Sequence, residues 1–429
     1  MPTPHLISYH AGDMRCDAQE LAALSVELEA ARQTLKKKKA AGEIGFLSIP
    51  GSAGDLKPVT ALAAKTTKNF RHLIVVGIGG SDLGARAFIK ALARPGKGME
   101  VHFIGASTDP DEIAALLDRI DLAKAAINVI SKSGDTIEPM STFLLLRKML
   151  VAKVGAKKHA RHIIATTDEK SGTLRTIADR EGYATLPVPP AIGGRFSALT
   201  PVGFFPAACA GIKIVDLIAG AADADDQFWS ASMAENPAAL FAGLHRHLAR
   251  RDGRRVTVLM PYAEALREVS NWFRQLWAES LGKRSDSGFT PVAAIGAADQ
   301  HSQLQLWTEG PADAVITFLE VEKFKKNFAV PNAYPDIEGV AYMDGHTFEE
   351  IIHAERKATA MALTKAGRPN GTLTIGSVSA KSVGAVMYMC MLATAVAGEI
   401  MEVNAYDQPG VESMKRAMYA LLGRKGYEL

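Results

Sequence analysis

The chain has 429 residues, 48% of them hydrophobic and 22% charged, with a formal net charge of +3; that is enough to bury two ordinary cores, and no long block of like charge suggests an extended nucleic-acid footprint. Cys16, Cys209 and Cys390 lie far apart without Cys-x-x-Cys spacing, which suggests neither a disulfide framework nor a zinc ribbon and suits a reducing compartment. Residues 1–12 lack the charged start and apolar run of a secretory signal, and no uninterrupted apolar stretch is expected to approach a membrane span, so the expectation is a soluble cytoplasmic protein.

In chain order, residues 12–40 read as a charged amphipathic helix ending in Lys36-Lys37-Lys38-Lys39, a run taken as a solvated helix end. Short Val- and Ile-rich runs then alternate with helical patterns at 73–76, 101–104, 127–130 and 163–165. A helical stretch ends near Arg251, and a second series of runs follows at 256–259, 292–295, 315–318 and 372–375. Such alternation predicts two doubly wound parallel sheets with helices on both faces, an α/β architecture. The expected division is a helical N-terminal extension (1–45), a first α/β domain (46–210), a second (211–400) and a helical tail (401–429). The two halves share no residue-level repeat.

The first predicted strand runs into Gly77-Ile78-Gly79-Gly80-Ser81-Asp82-Leu83-Gly84, with a helix from about Ala85. Glycines at such a junction let backbone N–H groups approach an anion at a helix N-terminus. The spacing fits neither the dinucleotide fingerprint nor a P-loop, and a tight turn without ligand is an equal alternative. The third strand ends in Ser131-Lys132-Ser133-Gly134-Asp135-Thr136-Ile137-Glu138-Pro139. Ser131, Ser133 and Thr136 can present three hydroxyls to a phosphate over the helix start, and Lys132 is counted with them. A cap by Asp135 or Thr136 would explain the helix start but not the repeated hydroxyls.

Asn271 to Lys283 reads as a helix stopped by Gly282, with Gln275 and Glu279 four apart on one face. A carboxylate shielded from water can take a proton from one carbon and return it to its neighbour. Gly193-Gly194-Arg195 aims an arginine that stays protonated beside developing negative charge. Asp299-Gln300-His301 supplies a histidine able to give or take a proton near neutral pH, whereas His72 and His162 read as structural. Tyr406-Asp407-Gln408-Pro409-Gly410-Val411-Glu412-Ser413-Met414-Lys415 sets an amide and a turn ahead of a helix over 411–422, with Lys415 in the first turns of that helix. Each feature by itself has an ordinary structural explanation.

Together, in order, these six segments resemble the glucose-6-phosphate isomerase family, in its shorter bacterial form, over residues 45–422. The resemblance implies two sugar-isomerase (SIS) domains and reversible aldose–ketose conversion of glucose 6-phosphate to fructose 6-phosphate through a cis-enediol, with no cofactor and no metal. It implies that Ser131, Lys132, Ser133 and Thr136 hold phosphate and that Gly80 and Ser81 line the sugar end. It gives His301 and Lys415 ring opening, Glu279 the proton, Arg195 the intermediate's charge, and Gln275 and Gln408 hydroxyls or water. It also implies a homodimer in which His301 enters the partner's site. Asp135 departs from the family's usual threonine and is expected to turn away as a cap. A dual glucose/mannose phosphate isomerase is the nearest rival, but that branch tends to carry threonine at the position of Gln275. A non-catalytic phosphosugar sensor would not need all four reactive residues. A metal-dependent hydride-shift isomerase would need clustered ligands, and the sequence-adjacent pair His245 and His247 does not share a helix face.

Overall fold

The computed structural model describes residues 5–428. Its strands are β1 (Ile7–His10), β2 (His72–Val76), β3 (Glu100–Ile104), β4 (Ala125–Ile130), β5 (Ile163–Thr167), β6 (Ala184–Pro187), β7 (Val256–Pro261), β8 (Thr290–Ala293), β9 (Ala314–Val321) and β10 (Asn370–Ile375). They form two five-stranded sheets, ordered β3-β2-β4-β5-β6 and β1-β10-β9-β7-β8. All pairings are parallel except β1 against β10.

Because side chains alternate across a parallel sheet, each strand supplies two cores. Leu73, Val75, Ala126 and Ile130 of the first sheet join Leu259, Val315, Leu319 and Leu373 of the second in one apolar mass. Ile74, Val76, Ile127 and Val129 face helices on the far side of the first sheet, as Val258, Met260, Ile316 and Phe318 do in the second. The shared core is filled by helices, chiefly Ile214–Ser230, Pro237–Asp252 and Ala380–Ile400. The first and last of these approach so closely that a Cβ on Gly384 would lie 2.1 Å from the Leu217 carbonyl oxygen.

Four expectations need correction. Ala380–Ile400 is, after all, long and apolar enough to cross a membrane; 94% of its most apolar window is buried inside the protein, and it serves as the central core helix. The N-terminal segment is not purely helical: β1 adds an antiparallel edge to the second sheet, and the first helix starts at Ala18, where Asp17 and Glu20 form a capping box. The lysine run is not simply solvated. Lys38 pairs with Glu399 at 2.6 Å, and Lys39 pairs with Asp225 at 2.9 Å while lying 4.9 Å over the Trp229 ring. Finally, β8 begins at Thr290 rather than Val292, set by its ladder to Val256 in β7, and the short β6 completes the first sheet.

His245 lies in the core between the hydroxyls of Thr257 (3.2 Å) and Thr317 (3.3 Å), against Phe241, and burial pushes its pKa down to about 3. The unfolded chain takes up that proton near the ordinary histidine value of about 6.5, while the folded chain does not. Stability from this residue is therefore complete above pH ~6.5 and declines as pH falls toward 3, by on the order of 4 kcal/mol at the end of the window. Urea midpoints measured between pH 6.5 and 4.5, where most carboxylates stay ionised, should fall more steeply for the wild type than for His245→Gln. Equal slopes would remove His245 as the cause.

Candidate active site

In the first sheet the chain moves from β2 to β3 on one side and then to β4 on the other, so the strand order reverses between β2 and β4. Ligand crevices in open α/β sheets form at the carboxyl ends of such strands, and both glycine- and hydroxyl-rich loops sit there. The 77–84 loop makes a tight turn at Gly79–Ser81 before the helix Leu83–Leu92. Gly80 meets the 193–195 loop so closely that a Cβ would lie 2.1 Å from the Gly194 carbonyl, and one on Gly79 would lie 2.8 Å from Gln275 Nε2. Two elements distant in sequence therefore converge on this turn.

In the loop after β4, the Ser131 hydroxyl oxygen accepts the Gly134 N–H (3.0 Å) and that of Ser133 accepts the Asp135 N–H (3.2 Å). Their hydroxyl protons stay free to donate outward. Thr136 is the N-cap residue of helix Ile137–Val154 but makes no side-chain cap bond. Asp135 does not act as a cap: its carboxylate takes the Thr173 hydroxyl at 2.9 Å. Lys132 donates to the Pro190 carbonyl (2.6 Å), so its ammonium is anchored at the loop's flank.

Helix Arg267–Leu281 buries Trp272, Phe273, Leu276, Trp277 and Leu281 along one side. Phe273 and Trp277 stack at 5.4 Å, and Trp277 packs at 5.5 Å from Phe289. That apolar stripe leaves Gln275 and Glu279 on the flank facing the crevice. Glu279 is half-buried, one oxygen accepting from Arg195 Nη1 (3.2 Å) and the other from Gln275 Nε2 (3.0 Å). The Gln275 Oε1 atom is buried with no partner, an acceptor open to a hydroxyl or water.

Arg195 is buried and uses its whole guanidinium. Nε donates to Ser280 Oγ (2.7 Å), Nη2 to the carbonyls of Ala405 (2.6 Å) and Asp407 (2.9 Å), and Nη1 to Glu279 and Gln408 Oε1 (3.1 Å). Burial draws its pKa below the usual arginine value, opposed by the charges of Glu279 and Asp407. Lys283 adds a bond to the Asp407 carbonyl and a 3.1 Å pair with its carboxylate. The tail also reaches the hydroxyl loop, where Tyr419 donates to the Asp135 carbonyl at 2.9 Å.

Arg195, Glu279, Gln275, Gln408 and Gly80 thus form one cluster, with Ser81 beside it and Ser131, Ser133 and Thr136 on the adjacent strand end. Two predicted residues stand outside that network. Lys415, on helix Glu412–Leu421, pairs with Glu412 at 2.8 Å. His301, on the short helix Ala298–Ser302, is exposed and makes no side-chain hydrogen bond among the described residues; Asp299 anchors that helix by accepting the Ile295 N–H (2.7 Å) and the Ser302 hydroxyl (2.8 Å). Sequence reasoning missed Ser280, Lys283 and Tyr419 as holders of the site. Nothing in their spacing marks them, since each acts on a segment more than 80 residues away.

Residues 59–423 match the family model described as phosphoglucose isomerase. The chain is similar to a glucose-6-phosphate isomerase from Rubrobacter xylanophilus (42% identical, covering 95% of each chain). It is also similar to one from Carboxydothermus hydrogenoformans (41% identical, covering 92% of this chain and 88% of the relative). Among solved structures, a hypothetical protein from Thermus thermophilus superimposes with a TM-score of 0.90 at 34% identity, over 97% of this chain and all of the other. A glucose-6-phosphate isomerase from Chlamydia trachomatis, at 22% identity and a TM-score of 0.85 over 98% and 89% of the two chains, shares the fold.

If Arg195 ties the tail to the body, Arg195→Met should destabilise the protein by about 3 kcal/mol or more and speed amide hydrogen exchange over residues 405–411. Ser280→Ala should cost about 1 kcal/mol. Unchanged exchange in Arg195→Met would show that other contacts hold the tail.

Proposed function

The chain belongs to the phosphoglucose isomerase family, and we propose that the Arg195–Glu279 cluster is where the proton of that family's reaction moves. The protein interconverts glucose 6-phosphate and fructose 6-phosphate, an aldose–ketose isomerisation. The observation that carries the assignment is the half-buried Glu279 carboxylate, held between a buried guanidinium and an amide at the strand-order reversal.

Phosphate lies over the start of helix Ile137–Val154, taking the free hydroxyl protons of Ser131, Ser133 and Thr136, with the Lys132 charge at the flank. Gly80 and Ser81 line the sugar end. His301 and Lys415 exchange protons with the ring oxygen and anomeric hydroxyl to open the ring. The Lys415–Glu412 pair sits on the helix surface, where such pairs are worth about 0–1 kcal/mol, so a sugar hydroxyl can replace it. Glu279 then takes the C2 proton and returns it to C1 through a cis-enediol. Three of the five Arg195 donors are fixed by Ser280 and two backbone carbonyls, which leaves Nη1 facing the developing negative charge. Gln275 offers its unpartnered oxygen to a substrate hydroxyl or water.

The exposed His301 supports a composite site in a homodimer, where it serves the partner's crevice while Glu279 and Lys415 serve their own. Exposed Phe328, Tyr334, Tyr342 and Phe348 on the 322–348 segment suit such an interface. A cytoplasmic location is proposed from the free cysteines and the metabolite substrate. Glutamine at 275 favours the glucose-specific reaction over dual activity on mannose 6-phosphate, which a parallel assay with that substrate checks.

Glu279→Gln keeps the shape but cannot accept the C2 proton, so kcat should fall by about a thousandfold with KM little changed. In deuterated water the wild type should place label at C2 of glucose 6-phosphate; turnover with no solvent label would indicate direct hydride transfer instead.

The composite site has its own test. Glu279→Gln and His301→Ala homodimers should both be nearly inactive, but a mixed dimer pairs one intact Glu279 with one intact His301 in a single site. Co-refolding differently tagged variants should therefore recover activity in proportion to heterodimer. No recovery in purified heterodimers would place His301 in its own chain's site or outside catalysis.

A further inference from the structure

At the other end of the first sheet, β2 and β3 begin with His72 opposite Glu100, and His102 lies opposite Ile74. In-register neighbours project from one face, so His72, Glu100 and His102 share the face that carries Ile74. Their donor atoms converge within 4.8 Å of one another. His72 Nδ1 lies 3.3 Å from His102 Nε2 and 3.3 Å from Glu100 Oε2. Ligands at about 2.0–2.1 Å around a tetrahedral zinc ion are separated by about 3.3–3.4 Å, the spacing of both contacts made by His72 Nδ1.

We propose that His72, His102 and Glu100 form a peripheral site for a divalent transition metal of the zinc type, completed by water. Two imidazoles and one carboxylate are a zinc donor set. The second carboxylate oxygen, Oε1, is held by Arg71 at 3.4 Å, which leaves Oε2 for the ion. The other nearby cation, Arg119, is tied to the Ala115 carbonyl at 3.0 Å. His72 is nearly covered, with 12% of its side chain exposed, while Glu100 is 56% exposed and gives an ion access from solvent. The competing cluster of Cys16, Glu20 and His247 is less suited: burial pushes the Cys16 thiol up to about 11, and Glu20 already accepts from Arg251 and the Asp17 N–H. The proposed site lies about 13 Å, the length of β2, from the glycine loop, so it would brace the strand ends and take no part in isomerisation.

The test uses the full-length untagged chain, stripped with chelator and titrated with Zn²⁺ by calorimetry, with Co²⁺ as a spectroscopic probe. One ion per chain, tetrahedral Co²⁺ absorption and a raised Tm are expected, with kcat and KM unchanged. His102→Asn should abolish the site. Glu100→Gln, a mostly exposed change that leaves the fold intact, should weaken it by at least about tenfold. Absence of saturable binding, or equal affinity in wild type and Glu100→Gln, would overturn the proposal and leave a hydrogen-bonded histidine pair.

Discussion

A buried guanidinium requires a partner for every donor, because an unpaired charge away from water is far more costly than a misplaced neutral group. Arg195 meets that requirement by drawing on two distant stretches of chain: Glu279 and Ser280 of helix Arg267–Leu281, and the 405–408 segment through the carbonyls of Ala405 and Asp407 and the Gln408 side chain. Satisfying one side chain thus sets where the 193–196 loop, the helix Arg267–Leu281 and the tail sit relative to one another. The carboxylate proposed to move the proton is itself one of the partners. Its placement follows from the same constraint.

The helix carrying Glu279 is rigid for a separate reason. Its opposite side inserts Trp272, Phe273 and Trp277 into the core shared by the two sheets, and aromatic burial of this kind costs about 3–5 kcal/mol to undo. Rotation that would swing Glu279 out of the crevice would also expose these rings. The tail lacks such an anchor: helix Glu412–Leu421 has no buried residue and is held through Arg195, Lys283 and Tyr419. The lysine proposed for ring opening rides on an element with no buried residue.

Reactive residue types were legible in the sequence because short motifs keep chemistry and local conformation together. Gln275 and Glu279 share a face through helix geometry alone, and the Ser131–Thr136 run announces its hydroxyls by composition. Asp135 shows the boundary of such reading. A cap was anticipated and the partner Thr173 was not, because a cap is a local event and a bond across 38 residues is set by how β4 and β5 pair. The same holds for His72 and His102, unremarkable at 30 residues apart until parallel register brings them to 3.3 Å.

Strand periodicity and the alternation with helices determined, from the sequence, that there are two parallel sheets, and motif order determined the reaction family. These depend on interactions within a few residues, where side-chain pattern and backbone preference agree. Only the tertiary structure decided that the strand Ile7–His10 closes the second sheet as an antiparallel edge, that the long apolar helix Ala380–Ile400 is buried in the core, and that Ser280 and Lys283 hold the Arg195 cluster and the tail. Each of those outcomes is a contact between segments far apart in the chain. It is settled by which burial and hydrogen-bond partners the whole fold leaves available, a quantity that no local run of residues contains.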